Sequence, residues 1–190
     1  MSRPAVFLDR DGTINEEMGY INHLSRLKLL PRVAEAIGLL NRAGLAVVVV
    51  TNQSGAARGY FPPALVAEVH RRLEAELARC GAHLDGIYTC LHGPDDGCPC
   101  RKPKPALLLT AARELDLDLA RSYLVGDRYK DVETAANAGA KGILVLSGYG
   151  RGEYQHLQGL SPAAPVYVAE DLLEAAEWIL ADMEKPGSRV

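Results

Sequence analysis

Three observations predict an α/β fold, a Rossmann-like open parallel sheet with helices on both faces. Short apolar runs alternate with amphipathic segments along the whole chain. The runs LAVVVV at 45–50 and GILVL at 142–146 carry no polar alternation, as expected of strands covered on both faces. No internal repeat and no long linker divides the chain, so one domain over residues 1–185 is expected, with right-handed crossovers. Small inserts, a flap at 14–31 and a loop at 90–100, decorate it, and residues 186–190 are expected to be a mobile tail.

The elements follow in order. Val6-Phe7-Leu8 is a buried strand that ends on two carboxylates one residue apart, Asp9 and Asp11. Residues 14–31 show no helical period and hold a Gly-Tyr turn, so they read as a flap or small hairpin beside the strand end. Val33, Ala36, Ile37 and Leu40 mark a helix stopped near Gly44, and the 45–50 strand then ends on Thr51-Asn52-Gln53-Ser54-Gly55. After a loop, Pro62 and Pro63 suit a first helical turn, and Leu65, Val69, Leu73 and Leu77 form a core stripe. Cys80, at the end of that helix, is expected in the core.

GIYTCL at 86–91 is the third strand, and Leu107, Leu108, Ala111, Ala112 and Leu115 lie inward on the next helix. SYLVG at 122–126 is a strand ending on Asp127, followed by a helix over 131–138 that Gly139 stops. After the 142–146 strand, 147–164 is rich in glycine and polar residues and reads as a loop. PVYVA at 165–169 is a last strand, and Leu172 to Met183 form an amphipathic helix.

The chain has 190 residues, 48% hydrophobic and 24% charged, with a formal net charge of −3, which suits a domain with a sizeable core and excludes disordered and collagen-like classes. No basic run or basic amphipathic helix calls for nucleic acid or an anionic membrane. No stretch approaches the ~18 apolar residues of a transmembrane helix. The opening MSRPAVFLDRDG lacks the regions of a signal peptide, so a cytoplasmic enzyme, monomeric and acting on a small molecule, is expected.

Working groups in open α/β sheets sit beyond the carboxyl ends of the strands, where Asp9, Asp11, Thr51 and Asp127 all fall. Asp127 or Thr51 alone could simply cap a helix. Together, however, like charges this close need a cation between them. Carboxylates with Mg²⁺, a lysine from Arg101-Lys102-Pro103-Lys104 and a threonine make a phosphoryl-transfer site, because metal and lysine neutralise the transferring oxygens. Cys90-x-His92-x5-Cys98-x-Cys100 supplies the four ligands of a closed tetrahedral zinc site, structural rather than catalytic. Its place just ahead of Arg101 and Lys102 would pin those cations. Two incidental thiols and a surface histidine are the bland alternative.

DRDGT after an apolar strand, a second strand ending in TN, a lysine, and then GDRYKD resemble, in that order, the haloacid dehalogenase-like phosphatases from residue 6 to about 146. The resemblance implies that Asp9 is the nucleophile forming an aspartyl phosphate and that Asp11 protonates the leaving oxygen and then deprotonates water. It implies Mg²⁺ on the Asp9 side chain, the Asp11 backbone carbonyl and Asp127, with Thr51 and Lys102 on the phosphoryl group. Asp131 either orients the metal site or caps its helix. Asp9 should be ionised and Asp11 should start protonated. The flap and zinc loop stand in place of a large cap domain.

The C-x-H…C-x-C loop running into CRKPK is similar to two groups in this family, the D-glycero-D-manno-heptose 1,7-bisphosphate phosphatases and the histidinol-phosphatases. GYI after the first motif and TNQSGAARGYF after the second resemble the heptose group. That implies removal of the C7 phosphate, in heptose precursor synthesis for lipopolysaccharide core or related glycans, with histidinol phosphate as the alternative substrate. Glu17, Met18, Gly19, Tyr20, Asn52, Gln53, Ser54, Arg101 and Arg128 would contact the sugar or its second phosphate. Arg58 is at least as well explained as solvated surface charge. A non-catalytic zinc-stabilised binding module would need a broken motif, and none is seen.

Overall fold

A computed structural model describes residues 2–185. The tail expected at 186–190 lies outside them. Six strands, β1 (Ala5–Leu8), β2 (Ala46–Asn52), β3 (Gly86–Cys90), β4 (Tyr123–Gly126), β5 (Lys141–Val145) and β6 (Tyr167–Ala169), form one sheet. Its order is β3-β2-β1-β4-β5-β6, and every pairing is parallel.

Alternation along each strand divides the core in two. Val6, Leu8, Val47, Val49 and Val125 face a layer made by α1 (Val33–Arg42), α2 (Pro63–Arg79) and α6 (Leu172–Met183). Ala5, Phe7, Val48, Val50 and Leu124 face α3 (Ala106–Leu115) and α4 (Tyr129–Ala138). Because both faces are covered, the strands need apolar side chains at every position, which is why they read as continuous hydrophobic runs. Pro63 opens α2, where a missing N–H costs nothing, and the Asp171 carboxylate caps α6 by accepting from the Glu174 N–H at 2.9 Å.

Register brings the functional ends together. Leu8 pairs with both Val49 and Val125, and Asn52 pairs with Cys90. Asp9, Thr51, Cys90 and Asp127 therefore emerge along one edge of the sheet. The chain leaves β1 for β2 on one side and returns to β4 on the other, so Asp9 stands at the point where strand order reverses.

Several expectations need correction. Residues 147–164 are not all loop: α5 (Gly150–Leu157) forms there and docks on β5 so closely that a Cβ on Gly150 would lie 1.8 Å from the Val145 carbonyl oxygen. The flap is no hairpin; it holds a 3-10 turn, Leu24–Arg26, and an isolated antiparallel bridge from Asn15 to Leu29. Val66 rather than Leu65 completes the buried stripe of α2, and α4 starts at Tyr129. Cys80 is exposed just past α2, because it lies beyond the turn that packs on the sheet. Among the described residues no helix is long and apolar enough to cross a membrane.

Candidate active site

The floor of the site is a cluster of three carboxylates around one ammonium. Asp9 follows β1 and is anchored by its backbone N–H, which donates to the Val125 carbonyl at 2.9 Å. Asp127 follows β4, and Asp131 lies in the first turn of α4. Lys102 enters from the loop before α3, with Nζ 2.9 Å from Asp9 Oδ1 and 2.6 Å from Asp131 Oδ1 while only 3% of its side chain is exposed. Oxygens of Asp9, Asp127 and Asp131 all lie within 4.8 Å of one another. Gly12 permits this approach: its φ is +80°, and a Cβ there would sit 2.1 Å from Asp127 Oδ2.

Burial, offset by Lys102 but reinforced by Asp131, pushes the Asp9 carboxyl up to about 6. Burial and the charges of Asp9 and Asp131 push Asp127 up to about 8. Three clustered acids with one lysine, which pairs with Asp9 and Asp131 but not Asp127, lack positive charge, and they supply only oxygen, the ligand type Mg²⁺ takes. The donor set therefore fits that ion. Asp131 caps its helix, its second oxygen accepting from the Arg128 N–H at 3.2 Å, while the first meets Lys102.

Asp11 has turned away from this cluster. Arg10 Nη2 donates to its two oxygens at 2.9 and 2.8 Å, Asn15 Nδ2 to Oδ1 at 2.9 Å, and Gln53 Nε2 to Oδ2 at 2.8 Å. Burial would raise the Asp11 carboxyl, but the Arg10 charge and these bonds outweigh it and hold the group below its usual value. The expectation that Asp11 starts protonated is thus not met in this structure, where its partners hold it as a carboxylate. Arg10 is buried, and its Nη1 lies 3.3 Å from His70 Nε2 on α2. Burial and the Arg10 charge bring His70 down to about 4, so its ring is neutral near pH 7.

These groups open into a cleft of about 290 Å³, lined by Asp9, Asp11, Thr51 and Lys102 and by Glu17, Gly19, Tyr20, Asn52, Gln53, Ser54, Arg101 and Arg128. Met18 does not line it; its carbonyl accepts from Arg26 Nη2 at 2.9 Å and so ties down the flap. Two amides expected to meet substrate are already engaged. Gln53 also donates to Thr51 Oγ1 at 2.9 Å, and the Asn52 side chain accepts from the Lys102 N–H at 3.2 Å. Their work within the chain is to orient Asp11, Thr51 and the Lys102 backbone. Lys130 and Tyr149, which sequence reasoning passed over, complete the wall. Arg128 stacks 4.2 Å above the Tyr149 ring. Burial and the nearby Arg101 and Arg128 lower the Lys130 ammonium, which marks the rim as crowded with positive charge.

Cys90, His92, Cys98 and Cys100 converge beside Lys102. Sγ of Cys90 is 3.6 Å from Cys98 Sγ and 3.7 Å from His92 Nδ1; Cys100 Sγ is 3.6 Å from Cys98 Sγ, 3.2 Å from His92 Nδ1 and 2.9 Å from Cys90 Sγ. A tetrahedron with Zn–S bonds of ~2.3 Å has edges of roughly 3.7 Å, so most of these separations fit a zinc ion. Lys104 Nζ donates to the carbonyls of Gly97 and Cys98, fastening the loop from outside.

Comparison with known proteins agrees with this geometry. A HAD-hydrolase-like family model matches residues 99–175. The chain is 46% identical to the D-glycero-D-manno-heptose-1,7-bisphosphate 7-phosphatase of Thermosynechococcus vestitus, over 94% of this chain and 96% of the relative. It is 44% identical to the D-glycero-beta-D-manno-heptose-1,7-bisphosphate 7-phosphatase of Escherichia coli K12, over 77% of this chain and 81% of the relative. The crystal structure of the D,D-heptose 1,7-bisphosphate phosphatase of B. bronchiseptica, complexed with magnesium and phosphate, superposes with a TM-score of 0.87 at 40% identity, covering 94% of this chain and 99% of that one. The chain belongs to the haloacid dehalogenase-like hydrolases, in the family of the D-glycero-D-manno-heptose-1,7-bisphosphate 7-phosphatases.

Proposed function

We propose that the protein is a Mg²⁺-dependent phosphatase that removes the C7 phosphate of D-glycero-D-manno-heptose 1,7-bisphosphate. The carrying observation is the cluster in which Lys102 bridges Asp9 and Asp131 at the floor of a cleft with a cationic rim. Asp9, Asp127 and the Asp11 backbone carbonyl would hold the magnesium, with Asp131, bound to Lys102, beside them. When bound, the ion supplies positive charge to the phosphoryl oxygens and to the crowded carboxylates.

The chain's own residues then do the following. An Asp9 oxygen attacks phosphorus and forms an aspartyl phosphate as the bond from phosphorus to the C7 oxygen breaks. Asp11 gives its proton to that departing oxygen; the incoming phosphate dianion beside it favours its protonated form. Asp11 next takes a proton from a water that attacks phosphorus, the Asp9 oxygen leaves, and phosphate is released. Lys102 and Thr51 bind the transferring oxygens. Arg101 and Arg128 take the second phosphate, while Glu17, Gly19, Tyr20 and Ser54 border the sugar.

The zinc reading rests on the four convergent ligands, and its role is to fix the segment that delivers Arg101 and Lys102. A cysteine set that clusters as metal ligands rather than as disulfide pairs suits a reducing compartment. Heptose bisphosphate is preferred to histidinol phosphate because the relatives carry the heptose name, and a dead binding module would not keep Asp9, Lys102 and Asp127 together. Steady-state kinetics with Mg²⁺ test the substrate: kcat/KM should favour the heptose bisphosphate over histidinol phosphate, and the reverse preference refutes the assignment.

A further inference from the structure

Asp11 sits on a loop just past β1, so neither strand nor helix geometry sets its rotamer, yet an acid/base group misplaced by ~1 Å loses much of its rate. Asn15 and Gln53 each donate to one of its oxygens, and a further support, a chain of side chains, reaches back into the core. Arg10 is 1% exposed and clasps the Asp11 carboxylate from one side, through Nη2 at 2.8 and 2.9 Å and Nε at 3.3 Å. The far nitrogen of the fork, Nη1, meets His70 Nε2 at 3.3 Å. A guanidinium has only donors, so that ring nitrogen accepts and the ring proton sits on Nδ1.

His70 is held on α2, 17 residues long, between Val69 and the buried Leu73 of the core stripe. It is remote in sequence from every motif of the site, and it borders neither the cleft nor the zinc cluster. Its one hydrogen-bond partner among the described residues is Arg10. A buried arginine turned at both ends by fixed partners is a rigid strut, whereas one bound only to Asp11 could carry the carboxylate with it.

We infer that Arg10 and His70 are positioning residues for Asp11: α2, through the His70 ring, fixes the guanidinium, and the guanidinium fixes the carboxyl group for proton transfer. This rests on the reading of Asp11 as the acid/base given above.

Leaving-group dependence separates positioning from a merely structural role. Departure of a sugar alkoxide needs a proton, and departure of 4-nitrophenolate does not, so kcat/KM with Mg²⁺ is compared for the heptose bisphosphate and 4-nitrophenyl phosphate. Asp11→Asn is the benchmark: it should lose about 10²–10⁴-fold on the sugar and far less on the aryl ester. Equal losses there refute the acid/base role itself, and this inference with it.

With the benchmark holding, His70→Leu, which fills the space but cannot accept, should lose about tenfold on the sugar in kcat rather than KM, and within about twofold on the aryl ester. His70→Gln, whose side-chain oxygen can stand in for Nε2, should recover most of the loss. Equal losses on both substrates, or none on the sugar, overturn the inference while leaving the role of Asp11 intact. If His70→Leu does not fold, Arg10→Lys keeps the charge without the fork and should show the same selective loss; a uniform loss overturns the proposal.

Discussion

The two ends of β4 hold acidic groups in opposite circumstances. At its N-terminal end Tyr123 donates to Asp182 Oδ2 at 2.9 Å, Lys141 Nζ lies 2.6 Å from the same oxygen, and Lys185 Nζ lies 3.1 Å from Oδ1. Burial would raise the Asp182 carboxyl, but bonds from Lys141, Lys185 and Tyr123 bring it down to about 2. Beyond the C-terminal end, three carboxylates crowd together with Lys102 paired to only two of them, Asp9 and Asp131, and Asp127 is pushed up to about 8. One end satisfies its charges within the chain. The other is short of positive charge at its floor and carries excess at its rim, so it is completed by a cation and a polyanion from outside.

The largest effect should come from the unsatisfied end. Asp9→Asn should cut turnover at least about 10³-fold, as loss of a covalent nucleophile does. Its unfolding midpoint in the absence of metal should hold or rise, because a crowded negative charge has gone. A marked fall in the midpoint would break the contrast, since it would show Asp9 to be stabilising. Zinc comes next. Metal analysis should find about one zinc per chain, and chelation or Cys98→Ser should cost several kcal/mol of stability, on the order seen when metal binding is coupled to folding, and lower kcat as Lys102 loses its support. Unchanged stability together with no zinc would end that reading.

The satisfied end should respond in the opposite sense. Asp182→Asn should cost about 1 kcal/mol of stability, well below what the full shift would give because Lys141 and Lys185 are partly exposed, and should leave kcat within about twofold. The smallest and most specific effect is on pH. With a folded value near 2 against an ordinary 3.8, the unfolded chain binds more protons than the folded one between those values, so stability falls as pH drops through that window. Urea unfolding of the wild type and Asp182→Asn should give a difference that is full above about pH 4 and narrows toward pH 2. A difference independent of pH would remove Asp182 from the account.

Much of this was legible without coordinates wherever the signal was local. Continuous β-branched runs marked the strands because both sheet faces are covered, and strand ends placed Asp9, Thr51 and Asp127 because catalytic groups follow buried strands in this architecture. The four members of the cysteine–histidine cluster were readable from their type and close pairing. Helix α5 was missed because its glycine-rich sequence signals a loop; it forms through tertiary contacts, the close docking of Gly150 and the Glu153 carboxylate accepting from the Tyr129 N–H at 2.7 Å. Cys80 was misplaced because helical periodicity does not say where packing stops.

By itself, then, the sequence determined the sheet, its covered faces and the identity of the groups delivered to one edge, since each depends on neighbours along the chain. Only the tertiary structure decided what those groups do to one another. Asp9 and Asp11 are two residues apart, yet one carboxyl meets Lys102 and the other meets Arg10, Asn15 and Gln53. How firmly each holds its charge follows from those partners, and His70 is brought to Arg10 from 60 residues away. Charge and desolvation act through space, so a pattern along the chain can name the ionisable groups but not set their states.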